Sequence, residues 1–470
     1  MAEISIEGRD LLQGRVVDKS SSAPRKPRPD QARQLAFALI TDVNQHGAYA
    51  NIRMPQLLTD SGLDVRDKAF ATELGYGCLR MQGKYDFAIS EKIDRPFLEV
   101  DPKIIDLLRM GCHQIFGMRV PTHAAVSATV ELARKVAGES KASYVNALLR
   151  SISSDEELFS DLEQSSKFEP LTKISVKYSH PEWVISSYHD ALKNWESVEE
   201  LLAFNNIPVA PHLAAWKGKS TKEELIEAGA TALNFSSSAV LSTDQPSNYK
   251  AVKERRAGVQ DLGSQLVSEI FYETRKVGHP HSWLDLCAGP GGKAAWLFNA
   301  LATERPNDRF LANEPTEHRA ELVARVIPRQ NISHHDGRVY AEFDEKFDRI
   351  LVDAPCTGLG ALRRRPEARW RKAAKDLKEL VALQRELLDC AYEMLTPGGI
   401  LGYATCSPHL AETLGQVLDM QYRHKEVKII PIDAVFPLPP GAQLANGTMQ
   451  LWSHKHGTDS MFLALFQKPE

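Results

Sequence analysis

The stretch Asp285-Leu286-Cys287-Ala288-Gly289-Pro290-Gly291-Gly292-Lys293 follows an apolar run and precedes a helical pattern that opens with Ala294-Ala295-Trp296-Leu297. Glycines at such a junction allow the backbone to turn tightly and to approach a ligand closely. The first turn of the helix offers free backbone N–H groups to that ligand. The stretch therefore predicts a strand–loop–helix unit of a parallel α/β sheet, with a ligand at the carboxyl end of the strand.

The residues downstream of this loop alternate short apolar strands with helices, which is the pattern of a parallel sheet with crossover helices. Strands are predicted at 282–287, 309–312, 331–335, 349–353 and 399–404. A later strand at 460–466 is expected to add antiparallel pairing at the edge of the sheet. Residues 259–470 are therefore predicted to form an α/β Rossmann-like domain.

The residues upstream divide into three further segments. Residues 1–29 are rich in serine, proline and basic residues, which is typical of a disordered basic tail. Residues 30–155 repeat apolar positions at helical spacing without strand-like alternation, which predicts an all-helical domain. Residues 156–258 mix helical and extended patterns, which indicates a small α+β subdomain. A chain of 470 residues is long enough for about three domains, in agreement with this division.

The composition argues against several classes of protein. The net charge of -4 argues weakly against bulk nucleic-acid binding, although basic residues cluster near the start and again after Cys356. The six cysteines show neither paired spacing nor a C-x-x-C motif, so neither a disulfide framework nor a zinc site is expected, and no metal is predicted. No stretch is long and apolar enough to span a membrane, and the start has no signal-peptide core. A reduced, cytoplasmic protein is therefore expected.

Acidic residues follow four successive predicted strands, so they fall along one edge of the sheet. They are Asp285, Glu314, Asp336 and Asp353. Such a line suits a ligand that carries a ribose, an exocyclic amine and a positive charge, as a sulfonium cofactor does. The polyanion NAD fits less well. A nicotinamide oxidoreductase nevertheless stays open as an alternative, because Gly289, Gly291 and Ala294 formally satisfy the dinucleotide fingerprint G-x-G-x-x-[GA].

Two cysteines lie in short motifs directly after predicted strands. Cys356 stands in Asp353-Ala354-Pro355-Cys356-Thr357-Gly358, and Cys406 stands in Thr405-Cys406-Ser407-Pro408. Two thiols at the ligand-binding edge favour covalent chemistry, because a thiolate is the strongest nucleophile among the side chains. The alternative is a pair of structural cysteines, since a free cysteine is often a small core hydrophobe.

A basic run lies directly after the Cys356 motif. It includes Arg363, Arg364, Arg365, Arg369 and Arg371. A charge run is most often a solvated face, but its place beside a candidate active site favours contact with phosphate. We therefore predict that Arg363, Arg364 and Arg365 contact phosphates of a ligand or a nucleic acid. For Lys293, two roles stay open: holding the glycine loop, or acting near the cofactor carboxylate or the catalytic pocket.

Together, the segments 284–293, 353–358 with Arg364-Arg365-Pro366, and Thr405-Cys406-Ser407 resemble the bacterial RNA cytosine-C5 methyltransferases that use S-adenosylmethionine, of the Fmu/Sun type. The helical segment that contains Asn146-Ala147-Leu148-Leu149-Arg150 is similar to the RNA-binding NusB fold that these enzymes carry at their N-terminus. The resemblance implies a cytosine of 16S ribosomal RNA as the substrate, with a tRNA or another RNA as the alternative. It implies that the NusB-like region adds RNA affinity rather than chemistry, and a monomer is favoured.

The resemblance also implies roles for single residues in binding S-adenosylmethionine. The methionine end would lie in the loop formed by Cys287, Ala288, Gly289, Pro290, Gly291, Gly292 and Lys293, although the Cys287 side chain itself is expected to point into the sheet. Glu314 would bind the ribose and Asp336 the adenine side. Asp353 would lie between the cofactor and the target base. Glu412, in a run that departs from the family pattern, is assigned no role.

The implied catalytic residues are Cys406, Cys356, Asp353 and Lys293. Cys406 would add to C6 of the cytosine, Asp353 would hold the ring, and Cys356 would help to release the product. The exchanged assignment, with Cys356 as the nucleophile as in the DNA C5 enzymes, stays open. The target base must be unstacked to admit both the nucleophile and the methyl donor. A non-catalytic RNA-binding factor built on the NusB-like helices is a further alternative.

Overall fold

The computed structural model of the chain describes residues 30–470 with the exception of Asp344. The basic tail that is expected at 1–29 lies outside the described residues. Three regions follow one another along the chain, and we name them the N-terminal region (30–155), the middle region (156–258) and the C-terminal region (259–470).

The N-terminal region is helical, as predicted, and residues 30–155 contain no strand. Its helices are α1 (Gln31–His46), α2 (Ala50–Thr59), α3 (Val65–Arg80), α4 (Gln82–Ser90), α5 (Pro102–Cys112), α6 (Thr122–Ala137) and α7 (Glu139–Ser153). Asp30 caps α1, because its carboxylate accepts a hydrogen bond from the backbone N–H of Ala32 at 2.8 Å. The apolar faces of the helices meet in one buried core, to which Leu39, Leu74 and Leu107 belong.

The middle region places four helices before a small antiparallel sheet of order β2-β3-β1-β4. The elements are α8 (Leu158–Gln164), α9 (Pro170–Tyr178), α10 (Glu182–Leu192), α11 (Trp195–Asn205), β1 (His212–Ala215), α12 (Lys222–Glu227), β2 (Thr231–Ala232), β3 (Ala239–Leu241), α13 (Lys250–Lys253) and β4 (Ala257–Val259). Trp216, directly after β1, shares a buried cluster with Leu266 and Trp296 of the C-terminal region. The small sheet therefore packs onto the larger domain.

The C-terminal region is built on a mixed sheet of order β10-β12-β9-β8-β5-β6-β7, with β11 paired to β12. Its elements are α14 (Leu262–Glu273), β5 (Ser282–Asp285), α15 (Gly292–Glu304), β6 (Arg309–Asn313), α16 (Glu317–Val323), β7 (Ile332–Ser333), β8 (Phe347–Asp353), α17 (Ala368–Arg371), α18 (Leu377–Met394), β9 (Leu395–Thr405), α19 (Leu414–Arg423), β10 (Lys428–Ile429), β11 (Met449–Gln450), α20 (Ser453–His456) and β12 (Phe462–Gln467). Strands β5 to β9 are parallel, as the alternating pattern predicted, and β12 is antiparallel.

The structure corrects two details of this sheet. The late strand β12 is not at the edge, because the two-residue strand β10 pairs with its outer side. The third parallel strand is shorter than the predicted 331–335. Beyond Ser333 the side chain of Asn313 replaces a neighbouring strand: its amide accepts from the backbone N–H of His335 at 3.0 Å and donates to the His335 carbonyl at 2.9 Å.

The sheet positions the candidate site through the register of β8 and β9. Asp353 lies opposite Ala404, and the backbone N–H of Ala354 donates to the Ala404 carbonyl at 2.9 Å. Both chains then leave the sheet at the same edge, where Cys356 follows β8 and Cys406 follows β9. Parallel neighbours thus deliver both thiols to one place, at the edge where ligands bind in sheets of this type.

Candidate active site

The glycine loop between β5 and α15 is shaped by close contacts that exclude side chains. Gly291 has φ = 111°, a conformation that favours glycine, and α15 starts at the next residue. A Cβ on Gly289 would lie 2.2 Å from Oε2 of Glu314. The loop is held from below, since the backbone N–H of Ala288 donates to the Asn313 carbonyl at 2.9 Å. Pro290 is exposed at the tip, and Gly292 faces the Gln260 side chain.

Asp285 is a buried carboxylate at the end of β5, and neither of its oxygens has a hydrogen-bond partner among the described residues. Burial, reinforced by Asp353 and opposed by Lys293, raises the pKa of Asp285 to about 7. An orphaned buried carboxylate is costly, so such a group is expected to meet a ligand donor or a cation. The sequence placed Asp285 in the line of acids without giving it a role.

Lys293 and Asp353 form an ion pair, with Nζ donating to Oδ2 at 2.7 Å. Although burial lowers it, the pKa of Lys293 is raised by the Asp353 carboxylate. Lys293 reaches from the first turn of α15 across to the end of β8. The pair therefore joins the glycine loop to the strand that carries the Cys356 motif.

Glu314 and Asp336 follow β6 and β7, and both carboxylates are held by nearby arginines. Glu314 is buried and lies 3.3 Å from Nη1 of Arg319, whose Nη2 donates to the Gly289 carbonyl at 2.6 Å. Asp336 accepts from Arg338 at 2.6 Å, and this hydrogen bond lowers the pKa of Asp336. Glu314 thus faces the glycine loop directly. Arg319, which closes the loop over Glu314, was not found from the sequence, because arginines on a helix are usually solvated.

The two motif cysteines lie together, with their Sγ atoms 3.4 Å apart, and both thiols are partly exposed. The contact with Cys356 lowers the pKa of Cys406, and Lys293 acts in the same direction. The same contact, together with burial, raises the pKa of Cys356. Cys406 is therefore the thiol that ionises more readily, as a nucleophile must. Cys287 is partly buried and packs against a cluster of apolar side chains in the C-terminal region, to which Leu284 and Val352 belong. Burial raises the pKa of its thiol.

Glu412 is a buried residue that fixes the loop after β8, although sequence analysis assigned it no role. Its carboxylate accepts hydrogen bonds from the Thr357 backbone N–H at 2.8 Å, from the Thr357 hydroxyl, and from Gln384 Nε2 at 3.1 Å. Gln384 also donates to the Pro355 carbonyl at 2.9 Å. Glu412 and Gln384 thus hold the residues on both sides of Cys356.

The predicted RNA-binding arginines differ in how far they are available. Arg364 donates to the buried Asp459 at 2.8 Å, and Arg363 stacks over Phe204 with a distance of 4.0 Å to the ring centre. Arg365 is exposed. The contact of these three arginines with phosphate stays a prediction, and it is most direct for Arg365. For Arg369 the interpretation of the run as a phosphate-binding face is wrong, because its side chain is buried among protein carbonyls.

Two further features are absent from the described part of the chain. There, no group of three or more histidine, cysteine, aspartate or glutamate side chains is arranged to hold a metal ion. Among the same residues, no helix is both long and apolar enough to cross a bilayer.

Comparison with known families matches two parts of the chain. Residues 276–467 match the family model of the 16S rRNA methyltransferase RsmB/F, and residues 30–154 match the NusB family. A ribosomal RNA small subunit methyltransferase B of Enterobacter is 31% identical over 80% of this chain and 86% of its own length. The chain belongs to the RsmB/F family of methyltransferases. The nicotinamide oxidoreductase and the non-catalytic factor thereby lose their support.

One further relative resembles this chain in sequence, and two solved structures resemble it in fold. A Mycobacterium tuberculosis protein named only as a methyltransferase is 43% identical over 95% of this chain and 99% of its own length. The crystal structure of PH0851 has a TM-score of 0.77 and 22% identity, and it covers 94% of this chain and 99% of that one. NSun6 from Pyrococcus horikoshii, solved with SFG, has a TM-score of 0.52 and 17% identity over 62% of this chain and 98% of that one. At these identities the two structures show the fold alone.

Proposed function

We propose that this RsmB/F-family methyltransferase transfers a methyl group from S-adenosylmethionine to C5 of a cytosine in 16S ribosomal RNA, through a covalent adduct between Cys406 and C6. The observation that carries the proposal is the pair of thiols 3.4 Å apart beside the acidic glycine loop. A cysteine nucleophile and a second group that assists its elimination are what C5 methylation requires, because C5 of cytosine is a poor nucleophile until C6 is attacked.

The residues around the glycine loop fit S-adenosylmethionine. The orphaned carboxylate of Asp285 and the buried carboxylate of Glu314 give the loop an acidic lining that suits a cationic ligand with ribose hydroxyls. Residues 287–293 would hold its methionine end, Glu314 the ribose and Asp336 the adenine side. When bound, the cofactor supplies an electrophilic methyl group on a sulfonium. The relative NSun6 was solved with SFG, an analogue of this cofactor, which supports the choice.

The catalytic steps divide among the remaining residues. Cys406, whose pKa is lowered by its contact with Cys356, attacks C6 as the thiolate. Asp353, held by Lys293, borders the space between cofactor and base and would hold the ring. After transfer the C5 proton must leave so that the C6–Sγ bond can break, and Cys356 lies where it can assist that elimination.

The target RNA and the division of labour between regions rest on the relatives. The Enterobacter relative is named for the small subunit of the ribosome, which supports 16S rRNA over the alternative of a tRNA. We propose that residues 30–155 form an RNA-binding domain, that 156–258 form a subdomain beside it, and that 259–470 carry the chemistry in the cytoplasm. Exposed Arg365 beside the active site is the first candidate for a phosphate contact.

The test is to incubate the purified protein with S-adenosylmethionine and either a 16S rRNA transcript or total tRNA, and to sequence both after bisulfite treatment. We expect one protected cytosine in the 16S transcript and none in tRNA. Protection only in tRNA would move the target to the alternative substrate. Methyl transfer to a position other than C5, read by mass spectrometry of the nucleosides, would overturn the proposed chemistry.

A further inference from the structure

The segment that follows the Cys356 motif, residues 359–371, contacts all three regions of the protein. We call it the latch segment. Its first part is fixed to the sheet, because the Gly360 N–H donates to the Cys406 carbonyl at 2.8 Å and the Gly360 carbonyl accepts from Ser460 N–H at 2.9 Å. A Cβ at Gly360 would lie 2.1 Å from the Ser460 carbonyl oxygen. The position of the latch segment therefore bears on both cysteine motifs.

The middle region packs against the same part of the latch segment. The hydroxyl of Tyr188 on α10 donates to the Leu359 carbonyl at 2.6 Å, and this tyrosine is buried. Leu359 and Leu362 share an apolar cluster with helices α10 and α11, to which Val184 and Leu201 belong. Leu359 and Leu362, which follow the Cys356 motif, are thus buried against the middle region.

Arg369, in the second part of the latch segment, binds the carboxyl ends of three helices. Its guanidinium donates to the carbonyls of Arg80, the last residue of α3, and of Asn205, the last residue of α11, at 2.8 Å each. It also donates to the carbonyl of Ser179, which caps α9, at 3.2 Å, and to Oδ1 of Asn206 at 2.8 Å. Helix carboxyl ends carry partial negative charge, so they can accept from a buried guanidinium in place of a carboxylate. Both terminal nitrogens of Arg369 are paired in this way, while its Nε has no partner among the described residues.

Two neighbours of Arg369 make matching contacts with the N-terminal region. The buried carboxylate of Glu367 accepts from the N–H of Ala50 at the amino end of α2, at 3.4 Å. Arg371 donates to the carbonyls of Val43 and Ala48 around the carboxyl end of α1. An acid at a helix amino end and bases at helix carboxyl ends are the favourable arrangement for helix dipoles. This part of the segment is therefore built to dock on the N-terminal region.

We propose that the latch segment holds the Cys356 loop in its catalytic position by docking on the N-terminal and middle regions, and that Arg369 is the positioning residue of this latch. The proposal rests on the proposed function for its kinetic consequence, since a shift of the Cys356 loop matters to elimination of the adduct. It gives the NusB-like domain a role in chemistry beyond RNA affinity. The docking residues Glu367, Arg369 and Arg371 touch neither cofactor nor substrate in this scheme and act through the backbone of residues 356–362.

The test uses the full-length protein with Arg369→Met, which keeps the volume and removes the donors, and Arg369→Lys, which keeps the charge. Lys375→Met, at an exposed lysine just beyond the latch segment, is the matched control. We expect Arg369→Met to lower kcat for a 16S rRNA transcript by about tenfold or more, with KM and cofactor affinity changed by less than about twofold. Arg369→Lys should recover part of kcat, and the control should match the wild type.

Hydrogen exchange of residues 355–362 provides a second measurement that does not depend on activity. Exchange there should rise in Arg369→Met while β5 stays protected, because only the latch is released. The proposal is overturned if Arg369→Met leaves both the hydrogen exchange and kcat unchanged. It is also overturned if the only effect of the substitution is a higher KM for the transcript. If the wild type methylates no cytosine, the proposed function fails, but the exchange result still decides the latch.

A second variant covers the case in which Arg369→Met does not fold. Gly83 on α4 lies against Trp370, and a Cβ there would approach the indole ring to 2.5 Å. Gly83→Leu replaces glycine with a better helix former on α4, and its side chain would push against the indole of Trp370 in the latch segment. We expect the same loss of kcat and the same rise in exchange at 355–362. Wild-type values for both in Gly83→Leu would also count against the proposal.

Discussion

Two thiols in van der Waals contact lose their protons in separate steps, because the S–H of one stabilises the charge of the other and is then harder to ionise. In this site the contact favours ionisation of Cys406 and disfavours that of Cys356. The roles that the family resemblance implies, with Cys406 as nucleophile and Cys356 as the group that assists release, stay a prediction that uses this asymmetry. The sequence could predict both thiols, since each follows a strand of recognisable pattern, but not their contact.

Substituting the two cysteines one at a time should separate their roles. We expect Cys356→Ala to form the C6 adduct and transfer the methyl group but to release product slowly, so that a protein–RNA crosslink survives denaturation. Cys406→Ala should bind S-adenosylmethionine and form no crosslink, because the attacking thiol is absent. Both variants are compared on a denaturing gel with labelled RNA.

The double variant Cys356→Ala/Cys406→Ala serves as the control and should show no crosslinked band. A band in Cys406→Ala alone would exchange the two roles and make Cys356 the nucleophile. Turnover of Cys406→Ala at the wild-type rate would remove it from the mechanism altogether.

The orphaned carboxylate of Asp285 predicts a pH dependence of cofactor binding. Its pKa is raised to about 7, so below that pH the group is largely protonated in the free protein. A cationic ligand favours the carboxylate, and binding therefore releases a proton. The dissociation constant for S-adenosylmethionine should fall by up to about tenfold per pH unit as pH rises towards 7, and should level off above it.

Titration calorimetry between about pH 5.5 and 8 measures this slope. In Asp285→Asn the pH dependence of the dissociation constant that comes from the protein should vanish. Any pH dependence that is still measured then comes from the amine of the ligand. Equal slopes in the variant and the wild type would show that Asp285 does not face the cofactor.

Among the elements, the parallel strands could be predicted because each is a short apolar run that ends in a polar residue. The two errors, at β7 and at the sheet edge, involve strands of two residues, which are too short for a period to be visible. At β7 the cause is local: the Asn313 side chain takes over the hydrogen bonds of a strand. The pattern of apolar residues cannot show that a side-chain amide makes the hydrogen bonds of a neighbouring strand.

The loop after β8 depends on Glu412, and its amide substitution should test that element. Both carboxylate oxygens of Glu412 accept from Thr357, and Glu412→Gln replaces one of them with an NH2 group. A buried N–H of that amide is left unpaired, at a cost of about 1–3 kcal/mol. We expect a melting temperature lower by a few degrees and slower product release, since the loop carries Cys356. Differential scanning fluorimetry and single-turnover kinetics measure the two effects.

Glu426→Gln, at an exposed glutamate, is the control for the loss of a charge. If Glu412→Gln matches this control in both measurements, the hydrogen bonds to Thr357 do not fix the loop.

At the scale of the whole molecule, the sequence predicted the order of the regions but misjudged part of the basic run. A cluster of arginines after a catalytic motif suggests phosphate, and only the packing of distant helices shows that Arg369 is buried. The partners of Arg369 are separated from it by between 163 and 289 residues, so no local pattern could reveal them. Arg369 thus contacts helix ends of the other two regions, although sequence analysis associates an arginine in such a cluster with nucleic acid.

Truncation should therefore affect more than RNA affinity. Removing residues 1–153 takes away Val43, Ala48, Ala50 and Arg80, which bind the latch segment. We expect cofactor affinity to stay within about threefold, because the acidic loop lies wholly in residues 285–353, while kcat falls by about tenfold or more. Calorimetry and steady-state kinetics on the truncated protein, with a deletion of 1–29 as the control, measure both. Full kcat with only a raised transcript KM would restrict the NusB-like domain to RNA binding.

The contacts of Arg369 also bear on how the protein can evolve. Three of its four acceptors are main-chain carbonyls, which every amino acid provides. The hydrogen bonds to Arg369 themselves do not depend on which side chains stand at those positions, so substitutions correlated with Arg369 need not record them. A foreign N-terminal domain grafted onto the chain would keep this hydrogen bond only if it placed a helix carboxyl end where α3 ends, because the Arg80 carbonyl is the acceptor of Arg369 in that domain.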